Sequence, residues 1–280
     1  MSARLLDGRA LADARLDAAA ARVAALGRRP CLAIVTAGAP SAAAYLRRIE
    51  RAAERAGVAL RIETLAEGAD AAAARARIAA LAADAGVDGI LPLAPFAPPL
   101  TLADLTAALP PEKDVDGLTP ANAGRLAQGA DGLHPCTPQA AILLAEDAAG
   151  SLKGRTATVV GASIAVGRPL AALLLARGAT VTIAHADTRD LVAACRPAEL
   201  LFVAVGKAGL VTADHVGAGA IVIDIGINAV DNGQGETAIV GDVDAGSVSA
   251  VAAAISAVPD GVGPLTAACL IDNVVAAATR

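Results

Sequence analysis

The chain has 280 residues, with 23 Lys and Arg against 28 Asp and Glu and a formal net charge of −5. Apolar residues make up 55%, much of it alanine, but no run of 18 uncharged apolar residues occurs, which argues against a membrane span. With no Lys/Arg cluster, two Phe, one Tyr and no Trp, neither the electrostatic nor the stacking case for nucleic acid stands. Met1–Asp7 carries no apolar segment of an export signal. Cys31, Cys136, Cys195 and Cys269 are scattered without a C-x-x-C pair, against a zinc knuckle or disulfide framework and for a reducing, cytoplasmic setting.

Residues 8–26 show helical spacing, and Arg29-Pro30 punctuates before a buried strand at 31–35. A helix at 41–56 ends at Gly57, a strand covers 58–64, and 70–85 reads as a helix. Residues 86–91 form a strand running into a Pro-rich loop at 92–99, and helices follow at 101–109 and 138–148. After Gly150–Gly154 a second series begins, with strands at 156–160, 179–184, 200–205 and 220–225. Helices at 166–177 and 188–195 lie between the first three strands, and a final helix covers 264–279. Short apolar strands alternating with helices predict parallel sheets covered on both faces, an α/β chain of two domains. The boundary falls near 140–150, and the last helix is free to pack back on the first domain.

Thr156–Pro169 reads as strand, Gly-containing turn, then helix. Gly161 permits the turn, Gly167 allows close helix packing, and free N–H groups at a helix start can hold a pyrophosphate. Ser163 stands where the usual second glycine would be, so by itself an ordinary strand–helix turn is as good a reading. The strands that follow end in Gly206-Lys207 and Asp224-Ile225-Gly226-Ile227-Asn228, where a doubly wound sheet places ligand. Asp187 ends the second strand of this series. Its carboxylate suits ribose hydroxyls and opposes a 2′-phosphate, which favours NAD; capping the helix that opens at Thr188 or Arg189 is the competing role. Arg168 and Arg189 keep NADP open. No His/Cys/Asp cluster has metal-ligand spacing, so no metal is expected.

Three more strings carry the reading further: Pro111-Glu112-Lys113-Asp114-Val115-Asp116-Gly117, Pro135-Cys136-Thr137-Pro138 and Pro259-Asp260-Gly261-Val262-Gly263-Pro264-Leu265-Thr266. With the Gly161–Pro169 turn, Asp224–Asn228 and Val240-Gly241-Asp242-Val243, the chain resembles the methylenetetrahydrofolate dehydrogenase/cyclohydrolase family from Leu6-Asp7-Gly8 to the last helix. The resemblance implies an N-terminal α/β folate domain (1–140 with helix 265–280) and a C-terminal Rossmann-like doubly wound parallel sheet (141–264). It also implies a homodimer joined through the nucleotide domain. By motif position Tyr45 stacks on the folate, Asp116 bonds the amino-pyrimidine edge and Pro259 lines the folate pocket. Thr137, Ser163, Ala204, Ile225, Ile227 and Thr266 line the dinucleotide pocket beside Gly161 and Gly167. On composition alone Tyr45 would be a packing residue and Asp116 part of a solvated turn; Asp114 is assigned to structure.

The departures from the family matter as much. Its Tyr-x-x-x-Lys places a lysine one helical turn after the tyrosine, and here Tyr45-Leu46-Arg47-Arg48-Ile49 puts Ile49 there. Its Val-Gln-Leu-Pro strand end supplies a glutamine partner, and here Leu93 takes that place. Both members of a polar pair have become apolar, which is coherent because either one alone would be costly to bury. Asp260 replaces a glycine and adds a carboxylate near the folate. Arg47, Arg48 and Arg51 stay protonated and are assigned to solvent or to a glutamate tail. His134, His185 and His215 are treated as structural. The pattern predicts an enzyme that oxidises a one-carbon-loaded reduced pterin, with hydrolysis of the product lost or weakened. A different pterin-like substrate and a non-catalytic folate-binding paralogue are the alternatives.

Overall fold

The computed structural model describes residues 2–231 and 237–280. In chain order the elements are β1 (Arg4–Leu6), α1 (Arg9–Ala25), β2 (Cys31–Thr36), α2 (Ala43–Ala56), β3 (Ala59–Thr64), α3 (Ala71–Ala83) and β4 (Gly89–Leu93). Then come α4 (Leu102–Thr106), α5 (Pro120–Ala127), α6 (Cys136–Ala149), β5 (Thr156–Val160), α7 (Gly167–Ala176), β6 (Thr180–Ala184), α8 (Leu191–Cys195) and β7 (Leu200–Val203). The chain finishes with β8 (Ile221–Asp224), β9 (Asn228–Asp231), β10 (Thr237–Val240), α9 (Ala245–Val248), β11 (Ala254–Ser256) and α10 (Val262–Ala278).

Two compact units divide the chain. One combines the stretch up to Leu11 with Thr137–Thr266, the other Ala12–Cys136 with Ala267–Arg280, so the division falls inside α1 and α10. The first holds a six-stranded sheet of order β1-β11-β8-β7-β5-β6, parallel at every pairing. Central strands β7 and β8 are buried at every residue, as a sheet covered on both faces requires, while edge strand β6 is largely open. The antiparallel ribbon β9–β10 stands beside this sheet. In the second unit β2 lies between β3 and β4, again parallel. Ala33, Val35, Ile78, Leu81, Ile90 and Leu105 anchor the core on one face of that sheet.

The main alternation follows the sequence reading, with shifts at element ends. The strand placed at 86–91 runs instead from Gly89 to Leu93 and carries Pro92 inside it, at full burial. The helix placed at 101–109 stops at Thr106, and the one placed at 188–195 begins at Leu191 under an Asp190 cap that accepts the Ala193 N–H at 2.9 Å. Periodicity missed β1 and β11, three residues each, because they are too short to show a repeat. It missed α5 although Thr119 caps it and Pro120 opens it. Among the described residues no helix is long and apolar enough to cross a membrane, and no group of three His, Cys, Asp or Glu could hold a metal ion.

Candidate active site

In the six-stranded unit the turn from β5 to α7 has the shape that holding a pyrophosphate asks for. Gly161 stands at φ 117°, a region open to glycine, and a methyl group on it would run into the Ala204 carbonyl. A side chain on Gly167 would strike the Gly161 carbonyl, so strand and helix can close only with glycine at both positions. Ser163 Oγ accepts the Val166 and Gly167 N–H groups at 3.2 and 3.4 Å, doing inside the turn what a second glycine cannot. Val166, before the ten-residue α7, supplies no cap of its own; Ser163 fills that role, its carbonyl also accepting the Arg168 N–H at 3.1 Å. The close strand-to-helix turn, which a Cβ at Gly161 or Gly167 would block, fits a dinucleotide.

Two buried carboxylates fix the strand ends around this turn. Asp224, closing β8, accepts the Gly226, Asp242 and Val243 N–H groups at 2.9, 3.0 and 3.0 Å. Burial pushes its carboxyl up to about 6 against the pull of those three bonds. Asp242 accepts Val205, Gly206 and Lys207 N–H at 2.6, 2.9 and 2.9 Å and Asn228 Nδ2 at 2.8 Å. It thereby ties the loop after β7 to the start of β9, on either side of which lie Ala204, Ile225 and Ile227. Ala204 and Ile225 are half-buried, Ile227 is exposed, and Thr266 spends its hydroxyl on the Val262 carbonyl at 3.1 Å. Thr137 is half-buried in the first turn of α6.

Asp187 follows β6 with its side chain almost wholly exposed and His185 Nδ1 at 3.6 Å. Because Asp190 caps α8, the capping role weighed for Asp187 is taken. Arg168 Nε donates to the Ala162 carbonyl at 2.9 Å, which engages it with its own turn.

Asp260 and Pro259 also belong to the six-stranded unit. Asp260 carries an ion pair with Arg9 at 3.9 Å, and Arg9 is further paired with Asp7. The Gly8 N–H donates to the Asp260 carbonyl at 2.9 Å, so this loop is fastened to the chain just before α1.

Tyr45, Ile49, Leu93 and Asp116 all belong to the three-stranded unit. Tyr45 is in the first turn of α2, and Ile49 sits one turn on, in the buried stripe with Ala52, Ala53 and Ala56. Leu93 is the last residue of β4, level with Thr36 at the end of β2. The 113–116 segment meets β4 at a single Ile90–Asp114 bridge and then turns, the Gly117 N–H donating to the Asp114 carbonyl at 3.0 Å, which leaves Asp116 in the turn. Leu93 at the end of β4 and Tyr45 at the start of α2 thus stand toward the carboxyl end of the sheet, the usual ligand edge of a parallel sheet, with Asp116 near Tyr45 and Ile49 a turn further into α2. Ile49 is 0% exposed and Leu93 5%, and the core cluster around Ile78 and Leu105 contains neither.

Burial holds the Tyr45 hydroxyl well above its ordinary value, and the nearby Cys136 thiol and Asp116 carboxylate add to that. It remains a donor at neutral pH. Burial pushes Asp116 up to about 6, opposed by the Cys136 N–H it accepts at 3.1 Å. Asp114 is structural: it accepts the Leu118 and Thr119 N–H groups and Asn122 Nδ2. Lys113 donates to the Ala82 and Asp84 carbonyls at 2.9 and 2.8 Å, sealing the end of α3.

The models of two protein domains match this chain. Residues 6–116 match the tetrahydrofolate dehydrogenase/cyclohydrolase catalytic domain, and residues 135–280 its NAD(P)-binding domain. The chain belongs to the tetrahydrofolate dehydrogenase/cyclohydrolase family. A relative from Acidiphilium cryptum, "Bifunctional protein FolD", is 47% identical over 282 residues, covering all of both chains. The solved bifunctional enzyme from Campylobacter jejuni is 36% identical with a TM-score of 0.93, over 99% of each chain. The Trypanosoma brucei dehydrogenase-cyclohydrolase, solved with NADP and an inhibitor, is 30% identical with a TM-score of 0.93, over 100% of this chain and 98% of that one. Within this family the six-stranded unit is the NAD(P)-binding portion, and the α/β architecture read from sequence holds for both portions. The reciprocal roles of Asp224 and Asp242 escaped the sequence reading, although both strings containing them were singled out. Burial is what gives them their function, and it leaves no local signature.

Proposed function

We propose that this protein oxidises 5,10-methylenetetrahydrofolate, or a similar one-carbon-loaded reduced pterin, to the methenyl form with NAD, and that its hydrolysis of the methenyl bridge is lost or strongly reduced. The observation that carries this is the pair Ile49 and Leu93, buried and apolar at the positions where the family resemblance expects a lysine and its glutamine. A dinucleotide held at the Gly161–Gly167 turn would supply the hydride acceptor. Tyr45 and Asp116 hold the pterin, Tyr45 by its ring and Asp116 by accepting the pterin's N–H groups. Oxidising the N–CH2–N bridge asks no proton of the protein, since the neighbouring nitrogen lone pair drives the hydride out; alignment is the main requirement. Hydrolysis differs, because a water must be activated and a nitrogen protonated, work worth roughly 10²–10⁴-fold in rate. Ile49 and Leu93 can do neither. A guanidinium is no proton shuttle, which rules out the neighbouring arginines of α2, and Asp260 is engaged with Arg9.

The preference for NAD over NADP rests on Asp187, which stands free of helix capping at the end of β6. The domains we assign are 1–140 with 265–280 for folate and 141–264 for the nucleotide, except that β1 (Arg4–Leu6) pairs into the nucleotide sheet. The protein is read as cytoplasmic, its four cysteines being free thiols, and as a homodimer joined through the nucleotide portion.

The deciding experiment follows both half-reactions in wild type, in Asp260→Gly, and in Ile49→Lys combined with Leu93→Gln. Wild type should reduce NAD and hydrolyse the methenyl compound no faster than buffer does, or nearly so. The double change should gain hydrolysis, since burial would bring a lysine's pKa down toward neutrality. Robust wild-type hydrolysis that disappears in Asp260→Gly would assign the base to that carboxylate and end the monofunctional reading. Neither half-reaction in any variant would direct the search to another pterin.

A further inference from the structure

We propose that Asn273, far from Asp116 in sequence, is the positioning residue that sets where the Asp116 carboxylate stands; this rests on the reading of Asp116 as the pterin anchor. Asn273 lies on α10 and is 8% exposed. Its Nδ2 donates to the Val115 carbonyl at 2.8 Å and to the His134 carbonyl at 2.8 Å. An amide nitrogen has two hydrogens, and both are accounted for by these carbonyls. One carbonyl immediately precedes Asp116, and the other is two residues before Cys136. Cys136 in turn donates its N–H to Asp116 Oδ1 at 3.1 Å and its thiol to the Val115 carbonyl at 3.3 Å. Cys136 Sγ also lies 3.5 Å from Asn273 Nδ2. The amide thus clamps together the two strings that flank the carboxylate.

A second contact keeps the clamp closed. Gly117, at φ 62°, has no side chain, and a Cβ there would come within 2.6 Å of the Leu133 carbonyl oxygen and 2.7 Å of the His134 carbonyl carbon. The chain on the far side of Asp116 is therefore pressed against the same 133–135 segment that Asn273 holds on the near side. With both neighbours fixed, the carboxylate can meet a fused-ring donor edge without reorganising, which is how a preorganised site avoids an ordering cost on binding. A purely structural amide would instead fasten α10 to its unit and leave the ligand unaffected.

The two roles separate in kinetics. Asn273→Ala and Asn273→Asp are compared with wild type and with Asp116→Asn, each checked by thermal melting. Asn273→Ala should raise the folate KM by about tenfold, within the 10–200-fold range that small changes in a recognition site produce. Its kcat and its NAD dissociation constant should stay close to wild type. Asn273→Asp, which turns two acceptors toward two carbonyls, should be worse on the folate side alone. The pH midpoint of folate kcat/KM should move in both. Unaltered folate KM and pH profile in a folded Asn273→Ala, beside a weakened Asp116→Asn, would overturn this proposal alone. An Asp116→Asn enzyme with normal folate KM would remove the anchor reading itself. Hydrogen exchange on wild type needs no variant: without folate, the Cys136 N–H and residues 115–117 should be as protected as α10 around residue 273. Rapid exchange there beside a protected α10 would equally overturn the proposal.

Discussion

Asp116 is held between burial, which penalises its charge, and the Cys136 N–H, which supports it; burial wins, and the carboxyl titrates at about 6. In the pterin-anchoring role proposed for Asp116, the ring edge presents N–H donors, so the ionised form is the one that would bind. Folate kcat/KM should therefore fall below pH 6, approaching about tenfold per unit, and Asp116→Asn should flatten that limb while lowering its plateau. A pH profile for both enzymes checks this; a wild-type profile flat from pH 7 to 5 would refute it. Folding stability runs the opposite way. A carboxyl whose folded value is raised stabilises the fold fully below its ordinary value near ~4 and loses that contribution as pH rises through about 6. The charge assigned to binding in that proposal is thus a cost to the fold at neutral pH. In the nucleotide portion, the proposed opposition of Asp187 to a 2′-phosphate acts from an exposed position, so its effect is screened. Asp187→Ser should narrow the NAD preference by about tenfold or less, measured as the ratio of kcat/KM values. A wild type that prefers NADP would hand the decision to Arg168 or Arg189.

Reciprocity between two loops is the device that shapes the nucleotide portion at the level of elements. A methyl group on Gly226 would occupy the Asp242 carboxylate, and one on Gly241 would occupy that of Asp224. Each acid uses the space that the other's neighbouring glycine leaves. Gly241→Ala should cost about 1–3 kcal/mol of stability through overpacking and weaken NAD binding with folate affinity intact. Denaturation and NAD titration test this together; an unperturbed melt with normal NAD affinity would show that the loops yield freely. The sequence displays both glycines and both acids, and their strings stood out from it. What could not be read is that residues so far apart in the chain exchange partners, because burial and long-range hydrogen bonding have no period. The same limit hid Asn273, an amide amid apolar helix residues. By contrast, the Gly161–Gly167 turn was legible because strand, turn and helix are consecutive. The α5 start at Thr119-Pro120 was legible too and went unread, since its eight residues make little more than two turns.

For the whole molecule, alternation of apolar strands with helices was enough to give parallel sheets, since helical crossovers bury both faces and leave near-continuous apolar strands. Strand order was out of reach: β1 and β11 join the larger sheet side by side from opposite ends of the chain, through three paired residues. That closure also creates the surface from which the last prediction follows. Leu5 on β1 is 65% exposed and Ile239 on β10 44%, and both line a cavity of about 680 Å³ with Val230 and Val258. Exposed apolar side chains clustered around one cavity are a reason to expect a partner, and a second copy meeting the same patch would give the isologous contact of a two-fold dimer. Light scattering at micromolar concentration should therefore report twice the monomer mass. Leu5→Glu with Ile239→Glu should halve it, because two charges per copy would be buried face to face without partners. NAD affinity should survive in that variant, as neither residue lies in the β5–α7 turn. A wild-type monomer would remove the dimer, and a charged variant that stays dimeric would move the interface elsewhere on the nucleotide portion.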